Sequence, residues 1–115
     1  MSIKYYFCNE FESVMLINFG TKQLEKLANN SAAAIKKWGA ERTKLFNRRL
    51  AELQAISSIE DLKFLPGKHH PLKNERKGQW ACNLDGGWRL VYRPIKKEGK
   101  ISYEIILIEE VIDYH

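Results

Sequence analysis

The spacing of apolar residues changes along the chain, and in the last third it predicts β structure. In residues 79 to 84, and again in residues 88 to 93, apolar side chains alternate with polar or small ones. The residues between these runs are Asp85-Gly86-Gly87, whose backbone freedom suits a tight turn. The pattern therefore predicts an antiparallel hairpin.

Two further strands are predicted on either side of the helical region. Residues 101 to 112 follow a polar turn at 94 to 100, and their apolar run from 105 to 108 predicts a central strand buried on both faces. A first strand is predicted within residues 12 to 18. Residues 1 to 10 are interpreted either as a second short strand or as an N-terminal extension.

Between these strands the apolar residues recur with a helical period. Helices are predicted in residues 21 to 30, 32 to 38 and 40 to 55, and Ser58 with its neighbours fits the cap of a short helical turn that ends before Pro66. Helices followed by consecutive antiparallel strands predict an α+β fold, in which an antiparallel sheet carries the helices on one face. A length of 115 residues predicts one domain, residues 1 to 115.

The charge balance favours a polyanionic partner. The formal net charge is +5, which suits either nucleic acid or an acidic protein, although such an excess also serves solvation. Six basic residues lie in the second and third predicted helices, and we interpret them first as a solvated surface and second as an RNA contact. They are Lys36, Lys37, Arg42, Lys44, Arg48 and Arg49.

Compartment and cofactors are predicted mainly by what the sequence lacks. It has no run resembling a signal peptide and no apolar stretch of the roughly 18 residues needed to span a bilayer. Cys8 and Cys82 are isolated thiols without metal-ligand spacing. We therefore expect a cytoplasmic protein without membrane contact, disulfide, metal or cofactor.

The candidate chemistry is concentrated in a basic loop, one strand and the last three residues. Metal-free RNA cleavage requires a base for the ribose 2′-hydroxyl, an acid for the departing 5′-oxygen and cations for the phosphoryl oxygens. Histidine performs either proton transfer near neutral pH, while lysine and arginine supply fixed positive charge. The residues that fill these roles are His70, Lys73, Arg76, Arg89 and His115.

Strand alternation predicts how these residues meet. Arg89 and Arg93 share one face of their strand, opposite Trp88, Leu90 and Tyr92. If the last strand lies beside this hairpin, its end brings the final Asp-Tyr-His near Arg89 and the basic loop. Each signal alone is more often a solvated loop or an ordinary strand end. Tyr114, with an ordinary pKa near 10, is as suited to stacking on a base as to proton transfer.

Several motifs occur in a fixed order in residues 65 to 115. They are L-P-G, H-P-L-K, R-K-G-x-W, the hairpin D-G-x-W-R and the terminal D-Y-H. In this order they resemble the C-terminal half of HigB-type toxins of the RelE/ParE superfamily, the killer proteins of type II toxin-antitoxin and plasmid-maintenance modules. The helical segment agrees with these toxins in pattern more than in letters.

This resemblance implies a small RelE-like, microbial-RNase-like fold and an mRNA interferase. The expected activity is metal-independent, ribosome-dependent endoribonuclease cleavage of mRNA in the ribosomal A site, through attack of the 2′-hydroxyl on the adjacent phosphate, which inhibits translation. The expected partners are the ribosome with its mRNA and a HigA-like helix-turn-helix antitoxin, through which alone the toxin would be linked to DNA.

The resemblance also implies catalytic roles for five residues. The H-P-L-K motif assigns the active-site histidine to His70 and the lysine to Lys73, and the terminal motif adds Asp113, Tyr114 and His115. His70 and His115 are expected to share proton transfer, Lys73 to stabilise developing charge, Tyr114 to position or stack the nucleotide, and Asp113 to orient a neighbour.

The resemblance assigns phosphate contact to Arg89, and the RNA-binding set is completed by Arg76, Lys77 and Arg93. Two departures bear on the assignment. Gly87 provides no side chain where many relatives have a polar one, and His69 stands beside His70. His70 is preferred because it directly precedes Pro71.

Two other functions stay open at this point. The same superfamily includes ParE-like proteins that inhibit gyrase without catalysis, and fold alone does not decide activity. A terminal Asp-Tyr-His together with His70 has no evident use in a gyrase inhibitor. The third hypothesis is that the chain is an inactive, RNA-binding relative of these toxins.

Overall fold

The computed structural model describes residues 14–99 and 103–114 of the chain, which form a sheet with helices on one face. The strands are β1 (Val14–Phe19), β2 (His70–Pro71), β3 (Trp80–Asn83), β4 (Trp88–Lys97) and β5 (Tyr103–Asp113). The α-helices are α1 (Lys22–Asn29), α2 (Ser31–Trp38) and α3 (Ala40–Ala55), and short 3₁₀ helices span Ile59–Phe64 and Asn74–Arg76. The predicted α+β architecture is confirmed.

The sheet has the strand order β1-β5-β4-β3-β2 and is mixed. β3, β4 and β5 pair antiparallel, as predicted, and β2, which was not predicted as a strand, pairs antiparallel with β3. β1, in contrast, runs parallel to β5, with Val14 opposite Tyr103 and Phe19 opposite Ile108. The prediction of a wholly antiparallel sheet is thus corrected at this edge. Three helices and three strands separate β1 from β5 along the chain, so no tight turn imposes antiparallel pairing on them.

β4 continues beyond the predicted hairpin and into the predicted polar turn, as far as Lys97. Pro94 lies within it, opposite Ile106 of β5. A proline is tolerated there because β3 stops pairing at Tyr92, and none of the other described strands pairs with β4 on that side beyond this point. β5 is central, as predicted, but its alternation buries Ile106 and Ile108 and leaves Ile105 and Leu107 partly exposed.

The helices begin at side-chain caps that the sequence supplies. The Thr21 hydroxyl accepts a hydrogen bond from the amide of Leu24, and the Asn30 side chain accepts one from Ala33 at the start of α2. Gly39, with a φ of 87°, ends α2 and lets α3 start at Ala40 in a new direction. Within residues 14–99 and 103–114, none of the helices has the length and apolarity that crossing a membrane demands.

The core lies between the helices and one face of the sheet. Phe46 and Leu53 of α3 pack with Leu90 and Tyr92 of β4, and the ring centroids of Trp38 and Phe46 are 4.8 Å apart. The helices therefore cover a single sheet face, as predicted. Most apolar side chains of the core-facing side are almost fully buried, which holds the opposite face in a fixed geometry.

Two of the six basic helical residues do not belong to a solvated surface. Arg49 is only 9% exposed, and its side chain donates to the Asn83 carbonyl and to Glu52. Arg42 pairs with Asp85 and stacks on Trp88. The helical period did not reveal this because both arginines reach across the helix flank to the hairpin.

Candidate functional site

The sheet face that points away from the helices carries the candidate chemistry, and we call it the open face. The register places His70, Ala81, Val91 and Glu110 in one row across β2, β3, β4 and β5. Neighbouring strands lie about 4.8 Å apart, so the two small central residues separate His70 from Glu110 by three strand spacings. The histidine and the carboxylate thus lie on either side of Ala81 and Val91, whose side chains are fully buried.

Alternation in the segment before β2 separates the two adjacent histidines. His69 is buried at 6% exposure, and its Nδ1 lies 2.7 Å from the Tyr92 hydroxyl oxygen. Burial, followed by the nearby Arg49 charge, lowers the pKa of His69 to about 4. His69 is therefore a neutral core residue at pH 7.

His70, in contrast, is exposed and lies on the open face. Its Nδ1 is 2.9 Å from the carbonyl oxygen of Lys68. Because a carbonyl only accepts, this hydrogen bond places a proton on Nδ1 and leaves Nε2 of the neutral ring with a lone pair. Nε2 is thus available to exchange a proton with a ligand.

The basic loop of residues 72–79 connects β2 to β3 at one end of the open face. The Leu72 amide donates to the Gln79 carbonyl at 2.8 Å, which closes the loop, and Asn74 takes a φ of 58° at its bend. Lys73 and Lys77 flank the short 3₁₀ helix and are exposed. No ion pair to either lysine occurs within the described part of the chain.

Arg76 and Arg93 are held by carboxylates, a pairing that the sequence did not predict. Arg76 Nη1 lies 2.5 Å from Glu110 Oε1 and 3.1 Å from Gln79 Oε1. Gln79 Nε2 donates to Glu109 at 2.6 Å, and Arg93 Nε lies 3.4 Å from the same carboxylate. We call these five residues the arginine–carboxylate network. The hydrogen bond with Glu110 is the main cause that raises the pKa of Arg76, to which Tyr114 and Glu109 also contribute.

A β-bulge brings the two carboxylates to one face. Val91 pairs with Glu110 but Tyr92 pairs with Ile108, so Glu109 is an extra residue in β5. Strict alternation would send Glu109 and Glu110 to opposite faces, and the bulge removes that alternation locally. The adjacent glutamates that interrupt the apolar run of β5 are the sequence signal at this position.

Arg89 and the chain end lie at the hairpin end of the open face. Arg89 pairs with Ile112, and its Nη1 donates to the Trp88 carbonyl at 3.0 Å. The Tyr114 amide donates to the Gly87 carbonyl at 2.9 Å, and its side chain is 41% exposed. Asp113 pairs with Trp88, so its side chain lies on the same sheet face as that of Trp88.

The structure thus brings His70, Arg76, Arg89 and Tyr114 to the open face or its rim, with Lys73 and Lys77 on the adjoining loop. Arg93 lies four residues from Arg89 along β4, about 13 Å away at the usual strand rise. His115, Cys8 and the extension predicted at residues 1 to 10 lie outside the described residues.

The other residues of the sequence motifs have structural roles. A Cβ atom at Gly67, whose φ is 102°, would lie 2.6 Å from Arg49 Nε, so only glycine leaves room for the arginine that supports Asn83. Asp85 accepts two hydrogen bonds from Arg42, at 2.8 and 3.1 Å, while the Arg42 guanidinium lies 4.0 Å from the Trp88 ring centroid. L-P-G and D-G-x-W thus fix the elements that frame the open face.

Comparison with known proteins gives a relative in sequence and similar solved structures. The chain is 31% identical over 70 residues to Endoribonuclease HigB of Proteus vulgaris, covering 60% of this chain and 67% of that protein. A YoeB/ParE toxin from Agrobacterium tumefaciens superposes with a TM-score of 0.49 at 16% identity, over 86% of this chain and 98% of that one. No family model matches the sequence.

Proposed function

This chain belongs to the RelE/ParE superfamily of toxins, and on that premise we propose that it is an endoribonuclease that cleaves mRNA in the ribosomal A site. It acts as the toxin of a type II toxin-antitoxin module and thereby inhibits translation. The cognate antitoxin, a HigA-like helix-turn-helix protein, keeps it inactive in the cytoplasm and provides its only link to DNA.

The observation that carries this proposal is the placement of His70. Its Nε2 carries the lone pair of the neutral ring because Nδ1 is committed to the Lys68 carbonyl, and it stands on a sheet face with Arg76 and Arg89. A proton-exchanging group on the same face as fixed guanidinium charges is what phosphodiester cleavage by an internal hydroxyl needs.

In the proposed reaction the 2′-hydroxyl loses its proton to one histidine as its oxygen attacks the adjacent phosphorus. The bond from phosphorus to the 5′-oxygen breaks, and the second histidine gives that oxygen a proton. His70 and His115 share these transfers, and the products are a 2′,3′-cyclic phosphate and a 5′-hydroxyl. The reaction consumes no metal or cofactor.

The cations stabilise the negative charge that builds on the phosphoryl oxygens. Lys73, with its exposed position at the start of the loop, and Arg89, on the open face, are assigned to the reacting phosphate. Arg76, Lys77 and Arg93 bind flanking phosphates. Tyr114, exposed at the rim, stacks on or positions a base, and Asp113 orients a neighbour in the terminal motif.

The test is primer extension on an mRNA in a purified translation system. We compare the intact protein with His70→Ala, with a chain lacking His115, and with Lys44→Ala as a control on the helical side. Cuts within codons that need ribosomes, His70 and His115 support the proposal. No cuts by the folded protein, together with inhibition of gyrase supercoiling, would replace it by the gyrase-inhibitor function.

A further inference from the structure

We propose that Glu110 is a positioning residue, which holds Arg76 by its Nη1 atom and so presents the Nε and Nη2 donors to a phosphate of the RNA. The inference rests on the proposed function. It assigns a role to a carboxylate that neither the sequence motifs nor the resemblance singled out.

The geometry at Arg76 carries the inference. Nη1 has two protons, and two acceptors lie within reach of it, Glu110 Oε1 at 2.5 Å and Gln79 Oε1 at 3.1 Å. Within the described residues, no acceptor bonds to Nε or Nη2 of Arg76. These two nitrogens form the edge of a guanidinium that grips two oxygens of one phosphate. The carboxylate therefore occupies one side of the fork and leaves the other side open.

The bulge in β5 turns this single contact into a braced arrangement. Because Glu109 also reaches the open face, it binds Gln79 at 2.6 Å, and Gln79 in turn binds Arg76. Arg93 approaches the same Glu109 carboxylate, and a Cβ at Gly78 would lie only 2.5 Å from Arg93 Nη1. Gly78 thus leaves room for Arg93 in the network.

Exposure indicates that the pair serves geometry more than folding. The Arg76 and Glu110 side chains are each 37% exposed, and ion pairs as accessible as this contribute little to stability. A flexible arginine would have to be ordered each time RNA binds, which weakens binding. The ion pair with Glu110 holds Arg76 in place before RNA binds and so removes that cost, although the carboxylate also neutralises the charge of the arginine.

The row of paired residues fixes where Glu110 holds the arginine. Glu110 lies opposite Val91, in the same row as His70, so Arg76 is drawn from its loop toward the middle of the open face. Without Glu110, the guanidinium is tied to Gln79 alone, at the edge of the loop. The phosphate contact would then lose its fixed position over the open face.

The test compares four variants with the wild type in the translation system. They are Glu110→Ala, Glu110→Gln, Arg76→Ala and the double variant of Arg76→Ala with Glu110→Ala. Glu60→Ala is the matched control, because Glu60 pairs with Lys96 on the surface away from the open face. Urea unfolding confirms that each variant folds. Affinity for a single-stranded RNA with one 2′-deoxyribose at the cut site is measured in parallel, since it needs no turnover.

We expect Glu110→Ala to slow cleavage about tenfold, on the order of the ordering cost of one long side chain. Glu110→Gln, whose amide oxygen still accepts from Nη1, should stay within about threefold of the wild type. The double variant should be no slower than Arg76→Ala, since both changes remove the same oriented contact. Glu60→Ala should behave as the wild type.

Three results would overturn the inference while the proposed function stands. They are wild-type or faster cleavage by Glu110→Ala, equal losses in Glu110→Ala and Glu110→Gln, and multiplied losses in the double variant. If the folded wild type cleaves nothing, the proposed function fails. The affinity for the 2′-deoxy-substituted RNA then tests the positioning role of Glu110. Weaker RNA binding by Glu110→Ala that Glu110→Gln restores then supports the positioning role, and unchanged binding overturns it.

Discussion

The Nδ1 atom of His69 lies 2.7 Å from the hydroxyl oxygen of Tyr92, inside the core and directly behind the strand that presents His70. β2 has only two residues, so its ladder alone holds it weakly to β3. The buried contact between His69 and β4 adds an attachment from the core side. We therefore expect the position of His70 to depend on this pair.

Replacing Tyr92 with phenylalanine should lower the free energy of unfolding by about 1–3 kcal/mol. The change removes only the hydroxyl and leaves a buried ring nitrogen of His69 without its partner. Urea denaturation measures the loss, and Tyr114→Phe, at an exposed tyrosine, is the matched control with an expected change within about 0.5 kcal/mol. Equal stability of Tyr92→Phe and wild type would show that the hydrogen bond is not needed.

Stability should also fall on acidification through His69. Its pKa is about 4 in the folded protein against an ordinary value of 6.5, so the unfolded chain binds the proton first as the pH drops. The stabilisation is complete above about pH 7, declines between about pH 6.5 and 4, and amounts to at most about 3 kcal/mol. Urea unfolding of the wild type and of His69→Gln at pH 4.5 and 7.5 measures this difference. The same pH dependence in both proteins would contradict the assignment.

Two glycines with positive φ should respond differently to alanine. Gly67→Ala places a Cβ against Arg49, which must then leave the Asn83 carbonyl, and we expect a loss of at least about 2 kcal/mol. Gly86, with a φ of 56°, has open space around it, so Gly86→Ala should cost only about 1 kcal/mol of backbone strain. Thermal or urea unfolding compares the two. A larger loss at Gly86 would contradict the role given to Arg49.

Arg42 should not be replaceable by lysine. Its guanidinium binds both Asp85 oxygens and stacks on Trp88, and an ammonium group cannot make both contacts at once. We expect Arg42→Lys to cost about 1 kcal/mol of stability. Lys44→Arg, on the exposed part of the same helix, should leave the urea midpoint unchanged. Equal midpoints for the wild type and both variants would show that the contacts of Arg42 with Asp85 and Trp88 contribute nothing to stability.

Residue periodicity predicted the elements well where local pattern and packing agree. The hairpin of β3 and β4, the three helices and the central position of β5 all follow from alternating or helical runs that end up half buried. The predicted bounds failed where tertiary context decides. β4 runs through Pro94 because β5 supports it, and β2 is too short for any periodic signal.

The candidate site was predictable by residue type but not by partner. The sequence pointed to His70, Arg76 and Arg89 as the chemistry of one region. It did not reveal that Glu109 and Glu110 hold Arg76 and Arg93, because a one-residue bulge moves a carboxylate from one face to the other. Nor did helical spacing show that Arg42 and Arg49 leave the solvated surface for the hairpin. Such pairings depend on elements far apart in sequence.

The central claim, cleavage of RNA by its own 2′-hydroxyl, is tested most directly by the ends of the fragments. Ribosomes translating an mRNA are treated with the protein, and the fragments are analysed by mass spectrometry. Predicted are a 2′,3′-cyclic phosphate on the upstream fragment, a 5′-hydroxyl on the downstream one, and no cut at a codon with a 2′-deoxyribose before the scissile phosphate. Fragments with a 3′-hydroxyl, or cleavage at the deoxy-substituted position, would contradict the account.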